Sequence, residues 1–227
     1  DKELVKLLLQ FKTFVPPWTR IMRLMRDIPV SNILDGAKFS NLRQILKDQP
    51  RKLRSLVGDA FYTKYQLENR DWPCQCVRCR EIGFTAQNVR HGAALPEVVL
   101  KRRDYDASEG QEVFLSFESK DEKHLFALLR LRKPSGQHFS HFGSVLHDAA
   151  LIREVHSYGS EVSVGEGAGM GQHRGLGRRL IEEAEQIARD EWGLKRITII
   201  AGIGTREYYR KFGYTLRSTY MTKRVVD

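Results

Sequence analysis

Apolar residues recur at helical spacing through residues 1–10 (DKELVKLLLQ), which predicts an opening helix. The pair Pro16-Pro17 inside FVPPW forces extended backbone and blocks its continuation. Arg20, Arg23 and Arg26 then recur every third residue among Ile21, Met22, Leu24 and Met25, a pattern open to a short amphipathic helix or an irregular strand. The spacing predicts a helix over 41–47, with Ser40 or Asn41 as its cap. Residues 48–73 are mixed, basic and aromatic, and end in Trp72-Pro73. They read as a connector with a helical piece around 52–62.

After Leu95 the texture changes. Successive strands are predicted over 98–100, 113–117 and 124–132, the first two separated by a turn at 106–110. A further strand candidate is 144–146, and a stronger one is 150–158. Residues 159–171 (GSEVSVGEGAGMG) hold five glycines in thirteen positions and read as a flexible loop. Leu176, Leu180, Ile181, Ala184, Ile187 and Ala188 then make the stripe of a long helix over 176–192, ended by Gly193. A β-branched run at 197–201 suits a strand buried on both faces. A short helix at 205–211 and a last strand at 214–223 complete an α/β layout.

Composition narrows the class. In 227 residues, 41% hydrophobic and 10% aromatic side chains suffice for a core and exclude disorder as the general state. No stretch approaches the roughly 18 uninterrupted apolar residues of a spanning helix, and the acidic start (Asp1, Glu3) is not that of a signal peptide. Three cysteines crowded into six positions argue against a disulfide framework. A cytoplasmic protein with no membrane contact is expected. The net charge is +10, spread unevenly: residues 1–95 carry 17 basic and 9 acidic side chains, residues 96–227 carry 21 and 19. That bias points to a polyanionic partner on the N-terminal part, with a solvated basic face as the plainer alternative.

Gln172-His173-Arg174-Gly175-Leu176-Gly177 lies between a strand and the long helix, where glycines allow close approach and first-turn amides lack partners. The helix dipole adds partial positive charge, so the segment favours a diphosphate, reinforced by Arg174, Arg178 and Arg179. Cys74, Cys76 and Cys79 can fill three corners of a tetrahedral zinc; the fourth ligand is not evident, and His91 is the nearest candidate. The alternative is three reduced thiols in a connector. His138, His141 and His147 show no ligand spacing. Glu154 and His156 share a strand face and suit a base or an ion pair equally.

The [QR]-x-x-G-x-[GA] loop at 172–177 and the segment Tyr208–Tyr214 (YYRKFGY) resemble two motifs of the GNAT acetyltransferases. That resemblance implies a mixed sheet flanked by helices that binds acetyl-CoA. Glu154, Val155, His156 and Ser157 would form the pantetheine-facing strand. Gln172, Arg174, Gly175, Leu176, Gly177 and Arg178 would form the phosphate cradle. Tyr209 would be the general acid, with adjacent Tyr208 the second choice.

A narrower resemblance covers nearly the whole chain. VPPWTR at 15–20, RDIP at 26–29, NLR at 41–43, REIG at 80–83, RRDY at 102–105, LRLR at 129–132, REVH at 153–156 and GIGTR at 202–206 are similar to the Elongator catalytic-subunit family. Members join a radical-SAM domain to a GNAT-like domain and modify C5 of wobble uridine 34 in tRNA. The resemblance implies the tail of the radical-SAM domain over 1–47, a basic linker with the cysteine cluster over 48–95, and the acetyltransferase domain over 96–227. It implies a carboxymethyl-type product and tRNA-stimulated acetyl-CoA hydrolysis. The cysteine motif that holds a 4Fe-4S cluster is absent, so S-adenosylmethionine and the cluster belong to the full family pattern and not to this segment. The resemblance also implies tRNA as partner, and Elongator-type subunits or a second copy as further partners. Residues 48–73 exceed the corresponding family stretch.

A typical GNAT domain inserts two helices between its first two strands, and here the gap between 98–104 and 113–117 is too narrow for them. The acceptor side is therefore expected to be open or completed by another domain, which suits a macromolecular acceptor. The expected tRNA footprint is Arg20, Arg23, Arg26, Arg43, Lys47, Arg51, Lys52 and Arg54. Competing functions are a protein lysine N-acetyltransferase and a tRNA-binding module whose acetyl-CoA site is regulatory.

Overall fold

The computed structural model describes residues 2–25, 28–39, 42–48, 50–65, 67, 74–82, 96–135, 145–158 and 175–226. These form two compact units, Asp1–Arg80 and Glu81–Asp227.

In the first unit, helix α1 (Lys2–Thr13) buries Val5 and Leu9. Its last turn closes with the Phe14 amide donating to the Phe11 carbonyl at 3.1 Å, after which the proline pair stops it. Residues 20–25 take neither a helix nor a strand. Helix α2 (Leu42–Asp48) follows the predicted spacing, while both proposed caps lie outside the described residues. The expected helical piece around 52–62 is two helices, α3 (Pro50–Val57) and α4 (Asp59–Lys64). Gly58 divides them: at φ 83° it leaves the helical region, and its carbonyl restarts the ladder by accepting the Tyr62 amide at 3.0 Å. Val5, Leu9, Leu42, Leu46, Leu53, Val57 and Tyr62 form one core. A short helix α5 (Val77–Arg80) follows the first two cysteines, and Val15, Cys74 and Cys76 form a second buried cluster.

The second unit is a mixed sheet of order β1-β2-β3-β4-β5-β7-β6. Strands β1 (Val98–Ala107) and β2 (Gly110–Ser119) are joined directly by Ser108 and Glu109, both at positive φ, as a two-residue hairpin turn requires. No helix intervenes, in agreement with the narrow spacing in the sequence. Strands β3 (Leu125–Lys133) and β4 (Ala149–Ser157) continue the antiparallel meander. The candidate strand at 144–146 is not one: Val145 and Leu146 lie in turns before β4, and Leu146 is buried there (Ser144 is outside the described residues).

Helix α6 (Leu176–Gln186) runs from β4 to β5 (Arg196–Ile200), which pairs parallel to β4, so a crossover helix is needed. The helix ends in a π turn (Ile187–Glu191) before Gly193 at φ 63°. After α7 (Arg206–Arg210), the expected last strand is a hairpin, β6 (Thr215–Arg217) and β7 (Tyr220–Arg224), split by a turn with Ser218 at φ 55°.

The predicted stripe on α6 packs on β2, β3 and β4. Leu176, Leu180, Ile181, Ala184, Ile187 and Ala188 meet Val113, Leu115, Phe117, Leu129, Leu131 and Ile152 in the main core. The other face of β1–β4 carries buried charge held in pairs. Glu118, fully buried, accepts from Arg103 at 2.7 and 3.0 Å and from Ser116 at 2.6 Å. Glu112 accepts from Arg132 at 2.9 Å and Arg153 at 2.5 Å. Buried carboxylates persist only with such partners.

Candidate functional site

The site grows from a break in strand pairing. β4 pairs with β5 from Ala149 to Ile152 and no further, while its pairing with β3 continues to Ser157. Between these two facts lies a bulge: Arg130 opposes Glu154 and Leu131 opposes Ile152, so Arg153 has no opposite residue. A bulge bends and twists its strand, which turns the end of β4 away from β5. Among the described residues, the β5-facing edge of β4 beyond Ile152 then has no strand partner, and a row of peptide groups is left for a ligand.

Alternation along β4 assigns its side chains. Val155 and Ser157 face the core side with α6; Glu154 and His156 face the other. Glu154 forms an ion pair with Arg130 Nε at 2.8 Å, and the His156 ring meets Tyr158 tilted by 53° with centroids 4.4 Å apart.

Helix α6 opens on Gly175, left-handed at φ 79°, and among the described residues nothing lies within 4 Å of where its Cβ would stand. The Arg179 amide donates to the Gly175 carbonyl at 2.9 Å and closes the first turn. The amides ahead of it have no intrahelical partner and carry the positive end of the helix dipole. Gly177 is buried against the end of β4 and α7: a Cβ there would stand 3.3 Å from Ser157 Oγ, 3.4 Å from Tyr208 Oη and 4.0 Å from Val155 Cγ1. Arg178 is exposed, bound to Glu182 at 2.7 Å and set over the Phe212 ring at 5.8 Å.

Short helix α7 presents the tyrosine pair. Tyr208 is 37% exposed and Tyr209 is 7% exposed, within the main core. Their rings meet edge-on at 5.3 Å. Neither hydroxyl has a hydrogen-bond partner among the described residues. Burial pushes both phenols above the ordinary tyrosine value, so both hold their protons at neutral pH. Tyr214 is different: its hydroxyl donates to Glu185 at 2.9 Å, a structural bond.

In the first unit, Cys74, Cys76 and Cys79 converge with their Sγ atoms within 4.8 Å of one another. Three thiolates around tetrahedral zinc stand about 3.8 Å apart, so the set fits that ion after small side-chain adjustments. Hydrogen bonds from Cys74 and Cys79 and the charge of Lys12 favour a thiolate at Cys76, while the same hydrogen bond holds the proton on Cys74. Lys12 donates to Cys74 Sγ at 3.4 Å and Cys79 Sγ at 3.6 Å, a contact no sequence signal assigned. Arg43, expected in the tRNA footprint, reaches inward: it donates to the Ile21 carbonyl at 2.7 Å and to Cys79 Sγ at 3.9 Å. Arg54 is bound to Asp59 at 2.5 Å, whereas Arg23, Arg51 and Lys52 are exposed.

The structure therefore sets Val155, Ser157 and Tyr208 against Gly177 in the first turn of α6, with Tyr209 edge-on to Tyr208, Arg178 over Phe212, Leu176 in the main core and Gly175 at the head of the helix. Gln172, His173, Arg174, His91, His138, His141, Trp72 and Arg26 lie outside the described residues, as does the glycine-rich segment 159–171. His147 is exposed beside Asp148.

The sequence profile of the Acetyltransferase (GNAT) family matches residues 100–214, which covers strand β4, helix α6 and the tyrosine pair. The chain belongs to the GNAT acetyltransferase family. It is 43% identical, over 96% of its length, to the tRNA uridine(34) acetyltransferase of Dehalococcoides mccartyi. It is 40% identical over 97% to Elongator complex protein 3 of Homo sapiens. The chain spans 43% and 37%, respectively, of the length of these two relatives. Among solved structures it is similar to the archaeal Methanocaldococcus infernus Elp3 with an N-terminal deletion, at 36% identity and TM-score 0.71, covering 97% of this chain and 47% of that one. The GNAT fold with its mixed sheet is thus shared beyond sequence. Among the described residues, no helix is long and apolar enough to cross a membrane.

Proposed function

We propose that this chain is the acetyl-CoA-dependent part of a cytoplasmic tRNA-modifying enzyme that installs a carboxymethyl-type group on C5 of wobble uridine 34, with tRNA-stimulated acetyl-CoA hydrolysis. The observation that carries the reading is the convergence of a β4 edge unpaired among the described residues, the amide-rich first turn of α6 and the Tyr208 hydroxyl, 3.4 Å from where a Gly177 Cβ would stand. Two observations support the cofactor there: among the described residues nothing stands within 4 Å of a Cβ built at Gly175, and Gly177, buried without a side chain, leaves its backbone beside Ser157 and Tyr208.

Acetyl-CoA, when bound, supplies an acetyl group activated as a thioester. The first-turn amides of α6 would hold its diphosphate, with Arg174, Arg178 and Gln172 adding charge and hydrogen bonds. The peptide groups of Glu154–Ser157 would line up the pantetheine arm as a strand would. Tyr209 would give its proton to the departing thiolate, and Tyr208 would steady the arm beside Gly177. A buried phenol that keeps its proton is suited to that donation. Cys74, Cys76 and Cys79 would hold a structural zinc that ties the segment after α4 to the N-terminal helix. The exposed cations Arg23, Arg51 and Lys52 would contact tRNA phosphates.

The test is acetyl-CoA turnover by the full chain, alone, with tRNA and with a lysine peptide. Stimulation by tRNA is the expected result. Acetylation of the peptide would make the chain a protein lysine N-acetyltransferase. Cofactor binding without turnover would make it a tRNA-binding module with a regulatory site.

A further inference from the structure

Lys12 has no reason to be buried on hydrophobic grounds. It sits at the C-terminal end of α1 with 0% exposure, on the face that carries Val5 and Leu9. Lysine is almost never fully buried without a specific partner. Two of its partners here are thiols: Nζ stands 3.4 Å from Cys74 Sγ and 3.6 Å from Cys79 Sγ. Arg43 approaches Cys79 alone, at 3.9 Å, and a guanidinium does not ligate metal.

The distances carry the argument. With Zn–S near 2.3 Å and Zn–N near 2.0 Å at tetrahedral angles, a sulfur and a nitrogen ligand stand about 3.5 Å apart. The two Lys12–cysteine distances bracket that value, and the three Sγ atoms lie within 4.8 Å of one another. Nζ therefore stands at the spacing of a fourth ligand from two of the three sulfurs.

We infer that Lys12 is the fourth ligand of a three-sulfur, one-nitrogen zinc site, binding through its neutral amine. This rests on the zinc reading of the cysteine cluster. As the bonds to zinc form, the ammonium and the thiols that still carry protons release them to solvent, the nitrogen lone pair enters the Zn–N bond, and no oxidation state changes. Three thiolates leave divalent zinc with one net negative charge, and a neutral amine completes the shell without adding to it.

The experiment separates a ligand from a nearby cation. Zinc affinity of the full chain is measured by competition with a chromophoric chelator for the parent, Lys12→Leu and Lys12→Arg, together with the metal content of each. Arginine keeps the charge and the hydrogen bonds to sulfur but cannot ligate. Both variants are expected to lose more than the roughly 10–100-fold that removing a supporting contact costs. Wild-type affinity in Lys12→Arg would overturn the assignment. A second measurement needs no substitution: in parent chain loaded with cadmium-113 and labelled with nitrogen-15 lysine, a metal–nitrogen coupling to one lysine side chain is expected, and its absence would overturn the inference. Parent chain that takes up no zinc, or a Cys74, Cys76, Cys79→Ser triple variant that still takes up one equivalent, would overturn the zinc reading itself.

Discussion

Gly177 and the tyrosine pair set the terms at the scale of single residues. A Cβ at 177 would press on Ser157 Oγ and Tyr208 Oη at 3.3 and 3.4 Å, and any larger side chain must displace them. Gly177→Val is expected to weaken CoA binding by at least about tenfold, or about 1.4 kcal/mol, in calorimetry. Unchanged affinity would remove the cradle from this place. The two tyrosines separate by kinetics. Tyr209→Phe is expected to lower kcat by about 10²–10⁴-fold with little change in KM, and Tyr208→Phe to raise KM with kcat nearly kept. The sign of the pH dependence follows from the raised phenols: the donor is active protonated, so activity holds through neutral pH and falls as pH rises through a value above 10. A profile that collapses below that would exclude a tyrosine acid.

Among the elements, the bulge in β4 and the β1–β2 hairpin do the positioning. Arg153 without an opposite residue lets β4 stay bonded to β3 while it leaves β5, so the gap is built into the strand register. The hairpin depends on Gly110, where a Cβ would stand 2.7 Å from the Lys133 carbonyl oxygen and 2.8 Å from Arg132 Nη2. Backbone cannot yield as a side-chain tip can, so Gly110→Ala is expected to cost about 1–3 kcal/mol in urea unfolding. The same change disturbs Arg132, which is bound to the Ala107 and Ser108 carbonyls and to Glu112. An unaltered midpoint would show that the hairpin relaxes freely.

For the whole molecule, the expectation concerns charge. The excess of positive charge lies in residues 1–95, and within the first unit Arg23, Arg51 and Lys52 are exposed while Arg43 and Arg54 have internal partners. Binding of tRNA should weaken linearly in log–log coordinates as salt rises. Arg51→Glu with Lys52→Glu should both lower the affinity and flatten the slope, read by filter binding across a salt series. Arg43→Gln acts otherwise, because it removes support from Ile21 and Cys79, and its effect should appear in thermal stability. A double charge reversal that leaves slope and affinity unchanged would move the nucleic-acid surface elsewhere.

Much of this was legible in the chain itself. The stripe from Leu176 to Ala188, the β-branched run at 197–201 and the glycines before α6 are local patterns, and local periodicity decides which face of an element is apolar. The narrow gap between the first two strands likewise excluded a helix there. The breaks at Ser218, inside a β-hairpin, and at Gly58, between two helices, were missed, because a single residue at positive φ leaves little trace in periodicity. Lys12 was the subtler omission: it continues the Val5–Leu9 face of α1 at helical spacing, a charge at a core position that marks a buried partner. What tertiary structure alone decided are relations between distant segments. Sequence cannot say that Lys12 meets Cys74, that Arg103 meets Glu118, that Glu154 spends itself on Arg130, or that Tyr208 reaches Gly177. Such contacts depend on strand register and helix placement, which arise from packing of the entire core, whereas apolar periodicity is written residue by residue.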